Sequence, residues 1–174
     1  MAFTWGRSTQ VTYSLPFGLG GTRLLMTSDT TVDGTPASLE GQTIGVVKDT
    51  ASAKELKSVV PGATMKSFTT PKEALDAFYA GDVSILGGGT LWLAANSRID
   101  KTALLPFRPY GRSGISCIVN QNNGKLLSST NIALGQMMQA YMDGDAGTRR
   151  MINRWIGPGS DVGLSQESIR SLYG

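Results

Sequence analysis

The chain contains no histidine and a single cysteine among its 174 residues. The first absence excludes Ser-His-Asp and Cys-His nucleophile pairs, His-ligated zinc and a histidine general base. The second excludes an intrachain disulfide and a thiolate metal cluster. Charge is sparse as well: 17% of residues are charged, against roughly 25% in an average soluble domain. Sixteen Lys plus Arg against thirteen Asp plus Glu leave a net +3, too small an excess to imply nucleic acid as a partner. No run approaches the ~18 apolar residues of a membrane span, and Met1-Ala2-Phe3-Thr4-Trp5 lacks the basic and apolar regions of an export signal. Asp29, Asp33, Asp143, Asp145 and Glu40 fall in polar loops or at helix caps and do not pair for acid–base work. Recognition is therefore expected over catalysis, with no metal and no cofactor.

What is abundant is glycine, 22 residues scattered at turns and helix ends, nearly twice the usual share of ~7%. Between these glycines the hydrophobic pattern is regular. Val11 to Ser14 and Arg23 to Thr27 read as strands around a turn region from Pro16 to Gly21. Thr43 to Val47 is a β-rich run followed by helical composition over Ala51 to Val59, and Pro61-Gly62 ends that step. Thr64 to Phe68 reads as the next strand. Thr70, Pro71 and Glu73 then form a helix start with cap, first-turn proline and capping box, and the helix stops at Gly81. Val83 to Leu86 reads as a third strand, Gly87-Gly88-Gly89 as a turn, and Leu91 to Asn96 as a helix.

Strand and helix alternating at this spacing predict βαβ units, hence an α/β fold with a mostly parallel, twisted sheet. Ala103 to Phe107 and Gly114 to Val119 add two strands, with Cys117 expected as a buried small hydrophobe. The remainder reads as helical: about 124 to 143 with Leu127, Leu134, Met138 and Tyr141 on one face, a second helix with Met151, Ile152 and Trp155 facing inward, and a short last helix over Gln166 to Leu172. The methionines of the long helix read as core filler. Arg149, Arg150 and Arg154 read as a solvated face.

In an open parallel sheet, ligands bind beyond the carboxyl ends of the strands, where helix N-termini offer free N–H groups to an anion. Three loops qualify: Lys48 to Ser52, Thr69-Thr70, and Gly87 to Thr90. Thr50, Ser52 and Thr70 can bind an anion there or simply cap their own helices. The phosphate-loop patterns G-x-x-x-x-G-K-S/T and G-x-G-x-x-G are absent.

Taken in order, Tyr13-Ser14-Leu15-Pro16-Phe17, Gly21-Thr22-Arg23-Leu24-Leu25, the run Leu39 to Thr50, Glu73-Ala74-Leu75 with Gly81-Asp82-Val83, and Ile152-Asn153-Arg154-Trp155-Ile156-Gly157 resemble type 2 periplasmic solute-binding proteins. The subgroup most similar is the polar amino-acid binders of the glutamate/aspartate type. That resemblance implies two α/β lobes joined by a hinge with ligand clamped between them. It divides the chain into a hinge-proximal segment of a truncated first lobe (1–24), a complete lobe (25–105), and a returning strand with closing helices (106–174). The N-terminal portion of the family's first lobe has no counterpart in the sequence.

The same resemblance implies the site. Ser14 matches the family's F-S-x-P-Y segment, and Arg7 stands for the arginine that grips the ligand carboxylate. Thr50 and Ser52 match the G-T-T-S loop, with Asp49 in place of Gly and Ala51 in place of Thr, while Thr70 lies near the neighbouring loop. Gly89 occupies the position where many amino-acid binders carry an Asp for the ligand ammonium. The implied partners are a small carboxylate or amino acid, the membrane component of an ABC importer, and a second copy through self-association or swapping. The implied location is the periplasm or cell surface. A rival reading is an assembly module that keeps the fold and has lost the ligand.

Overall fold

The computed structural model describes residues 5–98, 100–160 and 162–174, with the side chains of Trp5 and Arg7 outside that description. The elements in chain order are α1 (Trp5–Ser8), β1 (Val11–Tyr13), β2 (Gly18–Thr27), β3 (Thr43–Val47), α2 (Ala51–Val59), β4 (Thr64–Phe68) and α3 (Pro71–Ala80). They continue as β5 (Ile85–Gly89), α4 (Thr90–Ala95), β6 (Thr102–Ile115), β7 (Ile118–Asn120), α5 (Gly124–Asp143), α6 (Ala146–Ile156) and α7 (Gln166–Tyr173). Two compact units result, Gly21–Arg112 and Met1–Gly20 with Ser113–Gly174. The divisions fall after Gly20, inside β2, and after Arg112, inside β6.

The central unit is built on a five-stranded sheet in the order β4-β3-β5-β2-β6, with β3 parallel to both β4 and β5 and β2 antiparallel to β5. Side chains alternate faces along each strand, and the core divides accordingly. Leu24, Met26, Ile44, Val46 and Ile85 meet Leu56 and Val60 around α2, while Leu25, Leu86 and Val83 meet Ala74, Ala77 and Phe78 of α3 and Leu93 of α4. Both faces are covered over the middle of the sheet, which is why β2, β3 and β5 read as apolar runs with no polar alternation. Each such leucine or isoleucine contributes about 1.5–3 kcal/mol by leaving water.

The glycine triplet is not a turn. Gly87, Gly88 and Gly89 are strand residues of β5, opposite Leu24, Arg23 and Thr22 of β2. A Cβ on Gly87 would stand 2.3 Å from Leu56 Cδ1, and one on Gly88 would stand 2.7 Å from the Trp92 ring. Gly87 and Gly88 are there so that a helix on each face can approach β5. Likewise β6 is one strand of 14 residues where the sequence suggested two. It ends the sheet order, and an edge strand tolerates Pro106 and Pro109 because one side needs no ladder donors.

Arg23 is 6% exposed in β2. Its guanidinium donates to the Phe107 carbonyl and lies 5.9 Å from the Phe107 ring, while Nε is buried without a partner. Burial pushes its pKa below the ordinary arginine value. Removing a buried charge while keeping volume is neutral or stabilising, whereas truncation opens a cavity. Arg23→Met should therefore hold or raise the urea midpoint and Arg23→Ala should lower stability by about 2–3 kcal/mol. An equal loss in Met and Ala would show that the charge and its hydrogen bond, and not the side-chain volume, are what the position needs.

Before β3 the loop is pinned at Asp33. The Ser38 side chain, the Thr35 amide at 2.8 Å and the Thr35 hydroxyl at 2.7 Å hold this carboxyl down at about 2. A folded-state value below the unfolded ~3.9 adds stability that is present above pH ~4 and lost as pH falls toward 2. A carbon-detected NMR titration should place the Asp33 midpoint near 2; an ordinary carboxylate midpoint would contradict the contact. Tyr110 ties the same loop to β6 by donating to the Gly34 carbonyl.

The second unit pairs β1 with β7 antiparallel, Val11 opposite Asn120 and Tyr13 opposite Ile118. Its helices close on Tyr141, Ile152 and Ile169, with Tyr141 and Tyr173 edge to face at 5.5 Å. The inward stripe of α6 runs through Ile152 and Ile156, and this leaves Met151 exposed and Trp155 69% exposed, contrary to the expected face. Trp155 instead lies beside the Arg154 guanidinium. Arg149 is not simply solvated: its Nε donates to the Tyr141 carbonyl near the end of α5, as basic residues near a helix C-terminus commonly do. Met138 is buried and Met137 and Met142 pack against the cluster, as filler should. Cys117 is exposed, because the chain between β6 and β7 bonds through its backbone and turns the thiol outward.

Candidate functional site

Parallel strands β3, β4 and β5 bring their carboxyl ends to one edge of the sheet, and each is followed there by a helix N-terminus. Val47 is opposite Phe68 at that edge. Thr50 follows Val47 by three residues and Thr70 follows Phe68 by two, so the fold brings Thr50, Ser52, Thr70 and Gly89 to one edge of the central unit. Ser14 and Arg7 belong to the other unit.

Thr50 is the N-cap of α2. Its hydroxyl donates to the Val47 carbonyl at 2.7 Å and accepts from the Ala53 amide at 3.2 Å. The hydroxyl is thus engaged in capping, and what remains for an anion is the first turn beyond it: the Ala51 and Ser52 amides, which have no intrahelical acceptor, and the half-buried Ser52 hydroxyl. No acidic residue stands in that first turn. Asp49, just before the cap, adopts φ 60°, a left-handed conformation that glycine takes without strain.

Thr70 caps α3 by accepting from the Glu73 amide at 3.2 Å. Glu73 reaches back to the Thr69 amide at 3.0 Å, one residue earlier than a standard capping box would have it. Pro71 removes one amide from this turn and Glu73 adds a negative charge to it. The α3 terminus is therefore a poorer anion site than the α2 terminus.

Gly89 is the N-cap of α4 and supplies no side-chain cap. A Cβ at Gly89 would meet nothing within 4 Å, so the position has room for a side chain that the sequence leaves out. Gly89→Asp should stabilise α4 slightly, by about a few tenths of a kcal/mol, through capping. The same carboxylate would favour ligands with an ammonium group. A thermal melt and a ligand panel check both parts, and a fall in the melting temperature would contradict the open space. Thr90, next in line, is buried and donates to the Gly21 carbonyl at 2.9 Å.

Ser14 is 6% exposed. Its hydroxyl donates to the Leu15 carbonyl at 2.9 Å and accepts from the Cys117 amide at 3.0 Å, joining the chain after β1 to the chain before β7. Arg7 lies in α1, and its side chain falls outside the described residues. Among the described residues, no group of three or more Cys, Asp or Glu can hold a metal ion. Sequence reasoning missed the burial of Arg23 and the left-handed Asp49. Only the latter had a signal, since Asp49 stands where the resembling family carries Gly.

The fold is similar to that of solved structures of solute-binding proteins. An ancestral cationic amino acid solute-binding protein superposes with a TM-score of 0.70 at 19% identity, over 90% of this chain and 67% of that one. An ancestral arginine-binding protein bound to glutamine gives 0.70 at 22%, over 90% and 68%. The second substrate-binding domain of an amino acid ABC transporter from Streptococcus pneumoniae gives 0.63 at 19%, over 90% and 70%. The chain thus has the type 2 solute-binding fold and spans about two thirds of the length of these chains. No protein-family profile matches the sequence. No curated protein matches it either.

Proposed function

We propose that this chain is a solute-binding component of the periplasm or cell surface that recognises the carboxylate of an amino acid or other small acid at the N-terminus of α2. In this reading it serves the membrane component of an ABC importer and has no catalytic activity. The observation that carries it is the first turn of α2, with free Ala51 and Ser52 amides at the carboxyl edge of a parallel sheet and no acidic residue in that turn. The similar structures, a cationic amino acid solute-binding protein and an arginine-binding protein bound to glutamine, support the ligand class. Gly89 in place of an ammonium partner favours acids without an amino group.

In the same reading the remainder of the clamp is supplied by a further segment or a partner chain. A small ligand is held tightly when some 70–90% of its surface is buried, and halving the contacts of a ~1 μM site, about 8 kcal/mol, leaves millimolar affinity. Melting curves of dialysed protein against a panel of amino acids and small carboxylates test the reading. A rise confined to acids of one shape supports it, and flat curves across the panel remove it.

A second reading, an assembly module that self-associates, rests on the exposed apolar side chains of the helical unit: Leu126 at 51%, Ile132 at 61%, and Ile118 on β7. Exposed apolar residues of this size favour a partner surface. Light scattering after size exclusion distinguishes the two, because a monomer at all concentrations removes this reading alone.

A further inference from the structure

A groove of about 500 Å³ runs between α2 and β4, and one end of it, at Lys48, Asp49 and Ala53, adjoins the loop that carries Thr50 and Ser52. It exists because α2 packs over β3 and β5 and leaves the same face of β4 open. Alternate residues Ala63, Met65 and Ser67 of the β4 segment and Val46 of β3 form its floor, and Val60 closes one end. Its rim carries Lys48, Lys54 and Lys57, all exposed, against a single acid, Asp49. β4 also ends the sheet order, so one side of its backbone has no strand partner within the sheet.

Three features therefore coincide: a largely apolar floor, a rim with three lysines to one acid, and an edge strand with hydrogen-bonding groups to spare. Each selects the same kind of occupant. Backbone groups on a strand edge accept an extended segment, the floor takes its apolar side chains, and lysines favour acidic ones. A small anion would satisfy the lysines and leave the floor and the edge unused. We infer that the α2–β4 groove docks an extended, acidic segment of a partner protein, whose apolar side chains lie on Met65 and Ala63 and whose carboxylates meet Lys48, Lys54 and Lys57.

The test uses the full chain, labelled at the methionine methyls and titrated with a short Glu–Val peptide of repeating Val-Thr-Glu-Thr, which puts valines and glutamates on one face of a strand. The Lys–Val peptide, with Lys in place of each Glu, and inorganic tripolyphosphate serve as comparators. The Glu–Val peptide should bind, shift the Met65 methyl and weaken as salt rises, while the Lys–Val peptide should not bind. The double variant Lys54→Glu with Lys57→Glu should lose affinity about tenfold or more. Its melting temperature should stay near that of the parent, since both side chains are exposed. The inference is overturned if the peptide fails to bind, binds without moving Met65, or is indifferent to the charge reversal. It is equally overturned if tripolyphosphate binds as well as the peptide, which would make the groove a simple anion site.

Discussion

Leu56→Ala should destabilise the protein by about 2–5 kcal/mol and Gly87→Ala by about 1–3 kcal/mol, yet the double variant should lose clearly less than the sum. Leu56 is fully buried at the centre of the α2 cluster, so truncation removes its packing and leaves a cavity. A methyl at Gly87 would stand 2.3 Å from Leu56 Cδ1, with Ile44 and Val46 at 3.2 and 3.4 Å. Alone, that methyl forces a buried leucine out of its rotamer; with Leu56 truncated, it enters the vacated space. Urea denaturation of the four proteins in the cycle measures the coupling. Simple additivity would mean that Gly87 is not there to admit Leu56, and the triplet would lose its role as a packing device.

The second large effect separates binding from capping. Ser52→Asp places a negative charge in the first turn of α2, where the macrodipole favours it by about 0.3–1 kcal/mol, so the melting temperature should hold or rise slightly. The same charge occupies the place proposed for the ligand carboxylate and repels it, so affinity should fall by about tenfold or more at low salt. Stability and affinity thus move in opposite directions, which loss of a structural group cannot produce. Retained affinity in a stable Ser52→Asp protein would place the ligand elsewhere. Mutation of Thr50 cannot make this distinction, because its hydroxyl bonds Val47 and Ala53 and its loss weakens the helix whatever the ligand does.

Much of the central unit was legible where several local signals agreed. β3, α2, β4 and α3 fall where period, cap and breaker residues place them, and Thr70, Pro71 and Gly81 bound α3 as the sequence suggests. The failures share a cause, which is that the deciding contact lies far away in the chain. Gly87 to Gly89 resemble a turn until Leu56 and Trp92 are seen above and below β5. Pro109 and Gly111 fall between the two strands read from the sequence, and lie within one once β6 is found at the end of the sheet order. Cys117 and Trp155 look apolar enough for a core, but neither points at one. At the site, the positions of Thr50 and Thr70 were legible from the βα pattern. That both oxygens already accept a backbone hydrogen bond was open in the sequence and is settled by geometry.

The Ala51 and Ser52 amides form the proposed carboxylate site, and backbone NMR reads them one by one. In titrations of the dialysed protein with small carboxylates and amino acids, the Ala51 and Ser52 amide resonances should move first and farthest, saturating with the same midpoint as the thermal response. Those two resonances standing still while a ligand binds, or no resonance moving at the carboxyl edge of β3 for any member of the panel, would contradict the account.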